Sequence, residues 1–161
     1  EPEEPFEGKT GMVIALNEER SPFLNTLHLI PKIVTAGVGC RRGKEKQEIE
    51  DAILRALRKH HLSIHSLEKV ASIDLKAEEE GILAFCEKYA VPFETYSAED
   101  LSLAEGSFTP SPFVENVTGV DNVCERSAIL GSRNGSLIEK KQAADGVTVA
   151  LAVREWSVEF E

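Results

Sequence analysis

The stretch IVTAGVGCRRGKEKQEIEDAILRAL, from Ile33 to Leu57, decides the fold. It begins with an apolar run of the kind that forms a buried strand. After Gly43 its apolar residues recur at helical spacing. Between the two lies a turn that contains glycines, a cysteine and two adjacent arginines. The stretch therefore predicts a strand, a glycine-containing turn and a helix, which is the repeating unit of α/β domains.

The same alternation continues downstream. VASID (70–74) and VPFETY (91–96) predict two further strands, and an amphipathic pattern over 82–89 predicts the helix between them. SLIEKK and VTVALAV predict a hairpin around Ala144-Asp145-Gly146. The fold class predicted is α/β, as a three-layer α/β/α domain. Its sheet is mixed and mostly parallel, with about five strands, and ends in the hairpin.

Shorter signals mark the remaining elements. Ser97 with Asp100 predicts a capping box, and Ser111 followed by Pro112 predicts a helix start. Asp121 is the predicted cap of a last helix. GMVIAL (11–16) predicts a short strand, whereas 17–31 is rich in turn residues and is expected to be irregular. Residues 1–10, rich in glutamate and proline, are expected to be a linker or disordered.

Composition limits the possible functions. The 161 residues carry a net charge of -10, which disfavours a general nucleic-acid or anionic-membrane binder. The cysteines, at positions 40, 86 and 124, are widely spaced, so neither a disulfide framework nor a zinc site is indicated. No run is long enough to span a membrane. We expect a cytoplasmic protein with no resident metal or cofactor and with no nucleic-acid or membrane partner.

The turn after the first strand of this stretch has the composition of an anion-binding site. Gly37, Gly39 and Gly43 permit close approach of backbone to ligand. The helix that follows directs free N–H groups and the positive end of its dipole at the turn. Arg41 and Arg42 add guanidinium groups that bind carboxylates or phosphates in bidentate fashion. The carboxyl end of a strand is also where open α/β sheets bind ligands.

Two nucleotide-binding motifs come close to this turn but do not match it. A phosphate-binding P-loop has four residues between its first glycine and a Gly-Lys-Ser/Thr sequence. Here Lys44 is followed by Glu45 in place of Ser or Thr. A dinucleotide fingerprint needs a glycine where Arg42 stands. These mismatches disfavour ATP and NAD. The alternative to a ligand site is that the arginines only cover a helix start, although arginine opposes the dipole there.

Cys40 has two interpretations. The helix start and the arginines are expected to lower the pKa of its thiol and make it more nucleophilic. A small buried cysteine is equally common in a protein core. Because no histidine is visibly paired with Cys40, we favour a structural role in the wall of the predicted site.

Six ordered blocks also resemble a known family. They are GVGCRRG, SIDLKAEEEG, YSAEDL, TPSPFV, GVDNVCERSA and KKQAADGVTVALA. Together they are similar to the C-terminal domain of CbiG-type cobalamin biosynthesis proteins, which is also found alone as CobE-type proteins. The resemblance covers about 32–154, so we divide the chain into 1–31, a linker or tail of an upstream CbiG region, the domain 32–154, and a C-terminal tail 155–161.

The resemblance implies a function in building the corrin ring. CbiG-type proteins act as cobalt-precorrin-5A hydrolases, which open the ring A δ-lactone and release acetaldehyde. Cobalt then belongs to the substrate, and the partners are the polycarboxylate tetrapyrrole, the upstream domain and other corrin-pathway enzymes. Two alternatives are a noncatalytic carrier of corrin intermediates and a protein-docking scaffold. Because no nucleophile–base pair stands out, we expect this chain alone to bind substrate without completing hydrolysis.

Further candidate residues fall in these blocks. Asp74 is a candidate general base, and Lys76 a candidate carboxylate ligand, although both also suit an ion pair at the next helix. Glu80 is a second catalytic candidate, although an acid there also suits the helix dipole. Ser111 is a candidate substrate ligand or only a helix cap. Lys140, on the predicted hairpin, is a candidate carboxylate contact.

Overall fold

The computed structural model describes residues 10–157. In that part the elements are β1 (Thr10–Ile14), β2 (Asn25–Leu29), β3 (Val34–Cys40), α1 (Lys46–Lys59), β4 (Leu67–Ile73), α2 (Glu80–Tyr89), β5 (Phe93–Tyr96), α3 (Ala98–Ser102), α4 (Pro112–Thr118), α5 (Cys124–Gly131), β6 (Ser136–Ala144) and β7 (Val147–Val153). Single 3₁₀ turns span Ile64–Ser66 and Asp74–Lys76. None of these helices is long and apolar enough to cross a bilayer.

Five strands form the main sheet in the order β5-β4-β3-β7-β6. β3, β4 and β5 are parallel, and β7 runs antiparallel between β3 and β6. Four of the five strands therefore point the same way. The hairpin of β6 and β7 turns at Asp145 and Gly146, both with positive φ, as a two-residue turn requires. The predicted mixed, mostly parallel sheet is confirmed.

Helices cover both faces of this sheet, which confirms the three-layer architecture. On one face, α1 and α2 pack their apolar sides against β3, β4 and β7, with Ile53, Leu57 and Phe85 fully buried. On the other face, α5 packs against small side chains, among them Ala150 and Ala152. The small side chains allow α5 to approach the sheet closely.

Gly37 belongs to this close contact and not to a ligand site. A Cβ atom on Gly37 would lie 1.8 Å from the carbonyl oxygen of Cys124 and 2.9 Å from Cβ of Ala128, both in α5. The residue is buried in mid-strand. The predicted contact of Gly37 with substrate is therefore wrong, because α5 occupies the space above it.

The segment before the main domain differs from the prediction. The strand predicted at 11–16 is present as β1, but the segment expected to be irregular contains β2, which pairs with β1 in parallel. The signal in the sequence is the alternation NTLHL, in which polar and apolar residues have the period of a strand. The predictions for residues 1–9 and for 158–161 lie outside the described residues.

The last helix begins differently from the prediction. Its N-cap residue is Val123, which has no capping side chain. Asn122, just before it, accepts at Oδ1 a hydrogen bond of 2.8 Å from the backbone amide of Glu125. Asp121, the predicted cap, lies two residues before the N-cap and instead binds Nε of Arg126 at 2.9 Å. The Ser97–Asp100 capping box is confirmed, with the amide of Asp100 donating to Oγ of Ser97 at 3.0 Å.

Four helices of the described chain begin at one edge of the main sheet. α1, α2 and α3 follow the carboxyl ends of β3, β4 and β5. α5 runs antiparallel to β3, because Cys124 lies over Gly37 whereas Gly131 lies over Thr35. Its N-terminus therefore reaches the same edge. The edge combines several positive helix ends, which favours an anion there.

Candidate functional site

The Arg41-Arg42 turn is exposed at this edge. Within residues 10–157, neither guanidinium takes part in an ion pair or a hydrogen bond. The backbone amide of Arg41 donates to the carbonyl of Gly146 at 2.9 Å. The Cγ and Cδ atoms of Arg41 lie 3.4 and 3.1 Å from the Cβ position of Gly146, so the side-chain stem packs over the hairpin. The charged ends of both arginines remain available to a ligand.

The buried carboxylate of Glu79 fixes the backbone of this turn. Oε1 of Glu79 accepts a hydrogen bond of 2.5 Å from the amide of Gly43, and Oε2 accepts one of 3.1 Å from Nζ of Lys76. Burial alone would raise the pKa of Glu79. The hydrogen bonds from Gly43 and Lys76 outweigh it and hold that pKa below its ordinary value. Gly43, with φ +80, has the left-handed backbone expected of a glycine in such a turn.

Beside the turn, the N-termini of α1 and α2 enclose a cleft of about 630 Å³. The two helices come together because Gly81 has no side chain, since a Cβ there would lie 2.0 Å from the carbonyl oxygen of Lys44. The lining residues come from both helix starts and the turns before them: Arg42, Gly43, Lys44, Glu45, Lys46, Leu75, Glu78, Glu79, Glu80, Gly81 and Ala84.

Two of the lysines near the cleft are already paired. Nζ of Lys44 binds Oε1 of Glu48 at 2.7 Å, one helical turn away. Lys76 binds Glu79 at 3.1 Å and is largely buried. The structure thus favours the structural alternative for Lys76, an ion pair at the helix start, over contact with a substrate carboxylate.

Cys40 is not an activated nucleophile. Burial raises the pKa of its thiol to about 11, and the nearby positive charges of Lys76 and Lys44 lower it only in part. Glu79 acts in the opposite direction and raises it further. The expectation of a lowered pKa was wrong, because it counted the neighbouring positive charges but not the loss of water. The structural interpretation of Cys40 agrees with this environment.

The two catalytic candidates lie at the edge but are unpaired. Asp74 begins the 3₁₀ turn after β4 and is exposed, and Glu80 is exposed at the first turn of α2, in the cleft. In the described part of the chain, neither carboxylate is hydrogen-bonded to another side chain. Both can reach solvent beside the turn, and their catalytic role stays a prediction.

Gly39 and Ser111 also lie toward this edge. A Cβ on Gly39 would lie 2.6 Å from Oγ1 of Thr148, whose hydroxyl donates to the Gly39 carbonyl at 3.1 Å, so this glycine gives room to β7. Ser111 is the N-cap residue of α4, but its side chain makes no capping hydrogen bond. The side chain of Ser111 therefore does not cap the helix as predicted. Within the described residues its hydroxyl has no capping contact, and it is free for another partner.

Lys140 is not brought to the cleft. It is exposed on the edge strand β6, outside the residues that line the cleft. Beyond its place on the hairpin, the structure gives no support for the predicted carboxylate contact of Lys140.

The residues that hold the long loop over this edge were not predicted from the sequence. Glu125 is fully buried and accepts hydrogen bonds of 2.8 Å from the amide and the hydroxyl of Thr109 and from the amide of Lys141. Nδ2 of Asn122 donates to the carbonyl of Thr109 at 2.8 Å. The available signal was an asparagine three residues before Glu125, the spacing of an N-cap.

Candidate metal ligands do not cluster. Between residues 10 and 157, no group of three histidine, cysteine, aspartate or glutamate side chains is arranged to hold a metal ion. His60 instead pairs with Glu139, which also binds Nζ of Lys59 at 2.9 Å.

The geometry can be compared with known proteins. The family described as "Cobalamin synthesis G C-terminus" matches residues 34–152. The chain belongs to this CbiG C-terminal family. The match covers the main sheet, the Arg41-Arg42 turn and the long loop, and it confirms the resemblance seen in the sequence.

Two curated relatives support membership of the same family. The chain is 33% identical over 136 residues to a cobalt-precorrin-5A hydrolase of Priestia megaterium, covering 84% of this chain but 36% of that relative. It is 38% identical over 119 residues to the CobE protein of a Sinorhizobium species, covering 72% of this chain and 77% of CobE.

The crystal structure of CobE, a protein from the cobalamin (vitamin B12) biosynthetic pathway, matches with a TM-score of 0.71 at 31% identity. The match covers 77% of this chain and 92% of that structure. The chain thus has the fold of the CbiG C-terminal family and spans about a third of the length of the hydrolase relative.

Proposed function

We propose that this chain binds a cobalt-precorrin through the Arg41-Arg42 turn and takes part in opening its ring A lactone, with release of acetaldehyde. Support comes from membership of the cobalamin family and from the hydrolase relatives. The cobalt belongs to the substrate. The protein acts in the cytoplasm, with the upstream part of the same protein and other corrin-pathway enzymes as partners.

The observation that carries this proposal is the pair of exposed arginines, which have no ion-pair partner in the described part of the chain, on a turn held at a helix start. A precorrin carries acetate and propionate groups around its ring, and guanidinium groups bind carboxylates in bidentate fashion. The N-termini of α1 and α2 add favourable potential for an anion.

The same edge contains groups suited to ester hydrolysis. Opening a lactone requires water to attack the ring carbonyl carbon, so that the carbon–oxygen bond of the ring breaks and the released oxygen takes a proton. Release of acetaldehyde then requires that the carbon–carbon bond between the resulting alcohol carbon and the macrocycle breaks, with the alcohol losing its proton and the macrocycle gaining one. Arg41, Arg42 and free helix N–H groups would stabilise the negative charge on the carbonyl oxygen. Asp74 or Glu80 would take the proton from the attacking water.

A binding experiment tests the proposal. Uroporphyrin, a fluorescent porphyrin with acetate and propionate groups on each pyrrole, serves as the probe. Replacing both Arg41 and Arg42 with Met should weaken its binding, because each charged contact contributes about 1.5–3 kcal/mol. The matched control is Arg55→Met with Arg58→Met, which removes the same charge from the exposed surface of α1. Equal affinity of the two double variants would contradict the proposal.

A second candidate function is a noncatalytic carrier of corrin intermediates. The state of Asp74 and Glu80 favours it, because neither carboxylate has, among residues 10–157, a partner that would fit it for general base catalysis. The test mixes this chain with the lactone substrate under anaerobic conditions and measures acetaldehyde. Binding without acetaldehyde supports a carrier, and acetaldehyde supports a hydrolase. Absence of any binding would instead favour a docking scaffold.

A further inference from the structure

We propose that the outer face of α4 and the side chain of Leu75 form an apolar subsite that contacts the flat face of the macrocycle. This inference rests on the proposed function, because it identifies how the ring itself is recognised beside the carboxylate-binding turn. We call Phe113, Val117 and Leu75 the apolar rim.

The apolar rim is largely exposed. Phe113 is 75% exposed and Val117 63% exposed, and they lie one turn apart on α4. Val114, about 100° around the helix from Phe113, faces inward and packs against a cluster of Ile73, Leu101, Val120 and Val123. The apolar side of this seven-residue helix is therefore wider than the part that packs against the domain, and Phe113 and Val117 lie in the part that is left exposed.

α4 lies at the same edge of the sheet as the arginine turn. Its inner side chain Val114 packs in the cluster that contains Val123, and Cβ of Val123 is 4.0 Å from the Cβ position of Gly39 at the end of β3. At its other end, the Cβ position of Gly119 is 3.8 Å from Cβ of Ala98, just after β5. The helix thus lies beside the carboxyl ends of the parallel strands.

Leu75 connects the two parts of the edge. It follows β4, is 63% exposed, and lines the cleft together with Arg42. A ligand bound by Arg42 would therefore also lie close to the apolar side chain of Leu75. β4 lies between β3, which leads to the arginines, and β5, which leads toward α4.

This combination selects the class of ligand. A flexible polyacid would use the arginines and gain nothing from exposed Phe113 and Val117. A flat ring with carboxylates at its periphery uses both, because its face buries apolar area while its edge meets the guanidinium groups. The charge complementarity of the unpaired Arg41 and Arg42 therefore favours a macrocyclic polycarboxylate over an uncharged apolar partner.

The test compares two probes on the intact chain. Uroporphyrin has both ring and carboxylates, and butanetetracarboxylate has carboxylates without a ring. Phe113→Ser with Val117→Ser should weaken uroporphyrin binding roughly tenfold and leave butanetetracarboxylate binding unchanged. Phe113→Leu with Val117→Leu keeps the surface apolar and should retain most of the affinity. Leu24→Ser with Leu27→Ser is the matched control, on exposed apolar residues of the β1–β2 region.

The outcomes separate this inference from the proposed function. If the wild-type chain binds neither probe, the proposed function fails and the apolar rim fails with it. If the wild type binds uroporphyrin and the serine variant binds it equally well, only the apolar rim is overturned. If the serine variant no longer self-associates but binds uroporphyrin with unchanged affinity, the inference is also overturned. The apolar rim is then a contact between copies of the chain. A tenfold loss that is specific to uroporphyrin supports it.

Discussion

The buried carboxylate of Glu79 accepts a hydrogen bond of 2.5 Å from the backbone amide of Gly43. This contact joins the start of α2 to the turn before α1, across 36 residues of sequence. It fixes the backbone next to Arg41 and Arg42 without using either guanidinium. Glu79 is therefore a positioning residue for the proposed anion-binding turn.

Replacing Glu79 with Ala should lower the free energy of unfolding by about 1–3 kcal/mol, because the amide of Gly43 loses its buried acceptor. Uroporphyrin binding should weaken as well, since the turn is no longer held. Urea denaturation and fluorescence titration measure the two effects. Glu87→Ala is the matched control, because Glu87 is exposed on α2 outside the cleft lining and its replacement should change neither by much. Equal stability of the two variants would contradict the conclusion that Glu79 holds the turn.

The stability of the fold should depend on the charge of Glu79. Its pKa is lower in the folded chain than its ordinary value of 4.5, so it stabilises the fold above that value. This contribution is lost as the pH falls through the lower, folded pKa. Between about pH 5 and about pH 3, the wild type should therefore lose stability more steeply than Glu79→Gln.

The control for this pH dependence is Glu78→Gln, which should keep the slope of the wild type. Glu50 and Glu139 also have lowered pKa values, but they are present in all three proteins, so their effect cancels in the comparison. Parallel curves for the wild type and Glu79→Gln would show that the charge of Glu79 does not stabilise the fold.

Cys40 should react slowly with alkylating reagents at neutral pH, because burial raises the pKa of its thiol to about 11. Site-resolved mass spectrometry after iodoacetamide treatment measures the rate, and the urea-unfolded chain provides the reference. Cys40→Ser should retain uroporphyrin binding. Modification of the folded chain as fast as that of the unfolded chain would restore the nucleophile interpretation.

Two glycines of the same stretch should respond differently to alanine. Gly37→Ala should destabilise the fold by about 3 kcal/mol or more, because the new methyl group overlaps the backbone of α5. Gly43→Ala should cost only about 1 kcal/mol, from the positive φ, since no atom lies within 4 Å of its Cβ position. Thermal unfolding of both variants checks the order, and a reversed order would show that α5 is placed differently.

Glu125→Ala should destabilise the chain by about 3 kcal/mol, because the donors on Thr109 and Lys141 lose a buried acceptor. Amide hydrogen exchange should accelerate over 104–111, the loop that Glu125 holds. Thr109→Val removes a single donor and should produce a smaller effect. Unchanged exchange in Glu125→Ala would mean that other contacts hold this loop.

Much of the fold follows from local patterns. The apolar run before Gly39, the helical spacing after Gly43 and the turn at Asp145-Gly146 each contain enough local information to predict the element. The strand β2 was missed because five residues of alternation are a weak signal beside the turn residues that precede them. The antiparallel position of β7 beside β3 was open, since strand order depends on long-range pairing.

Only the parts of the site whose residues lie close together in the sequence could be predicted. The Arg41-Arg42 turn lies at the edge of the sheet because a strand and a helix flank it. The contact of Glu79 with Gly43 could not be predicted, because it depends on the close approach of α1 and α2 at Gly81. The pKa of Cys40 was misjudged because burial, which sequence does not reveal, outweighs the neighbouring charges.

The last strand of the described residues, β7, lies inside the sheet. β7 pairs with β3 along its whole length, and its turn residue Gly146 supports the backbone of Arg41. During synthesis, a nascent chain that ends before Val147 leaves one edge of β3 open and the arginine turn without that support. An open edge can pair with another chain. The ribosome must therefore release the β6–β7 hairpin before the proposed binding turn can be completed.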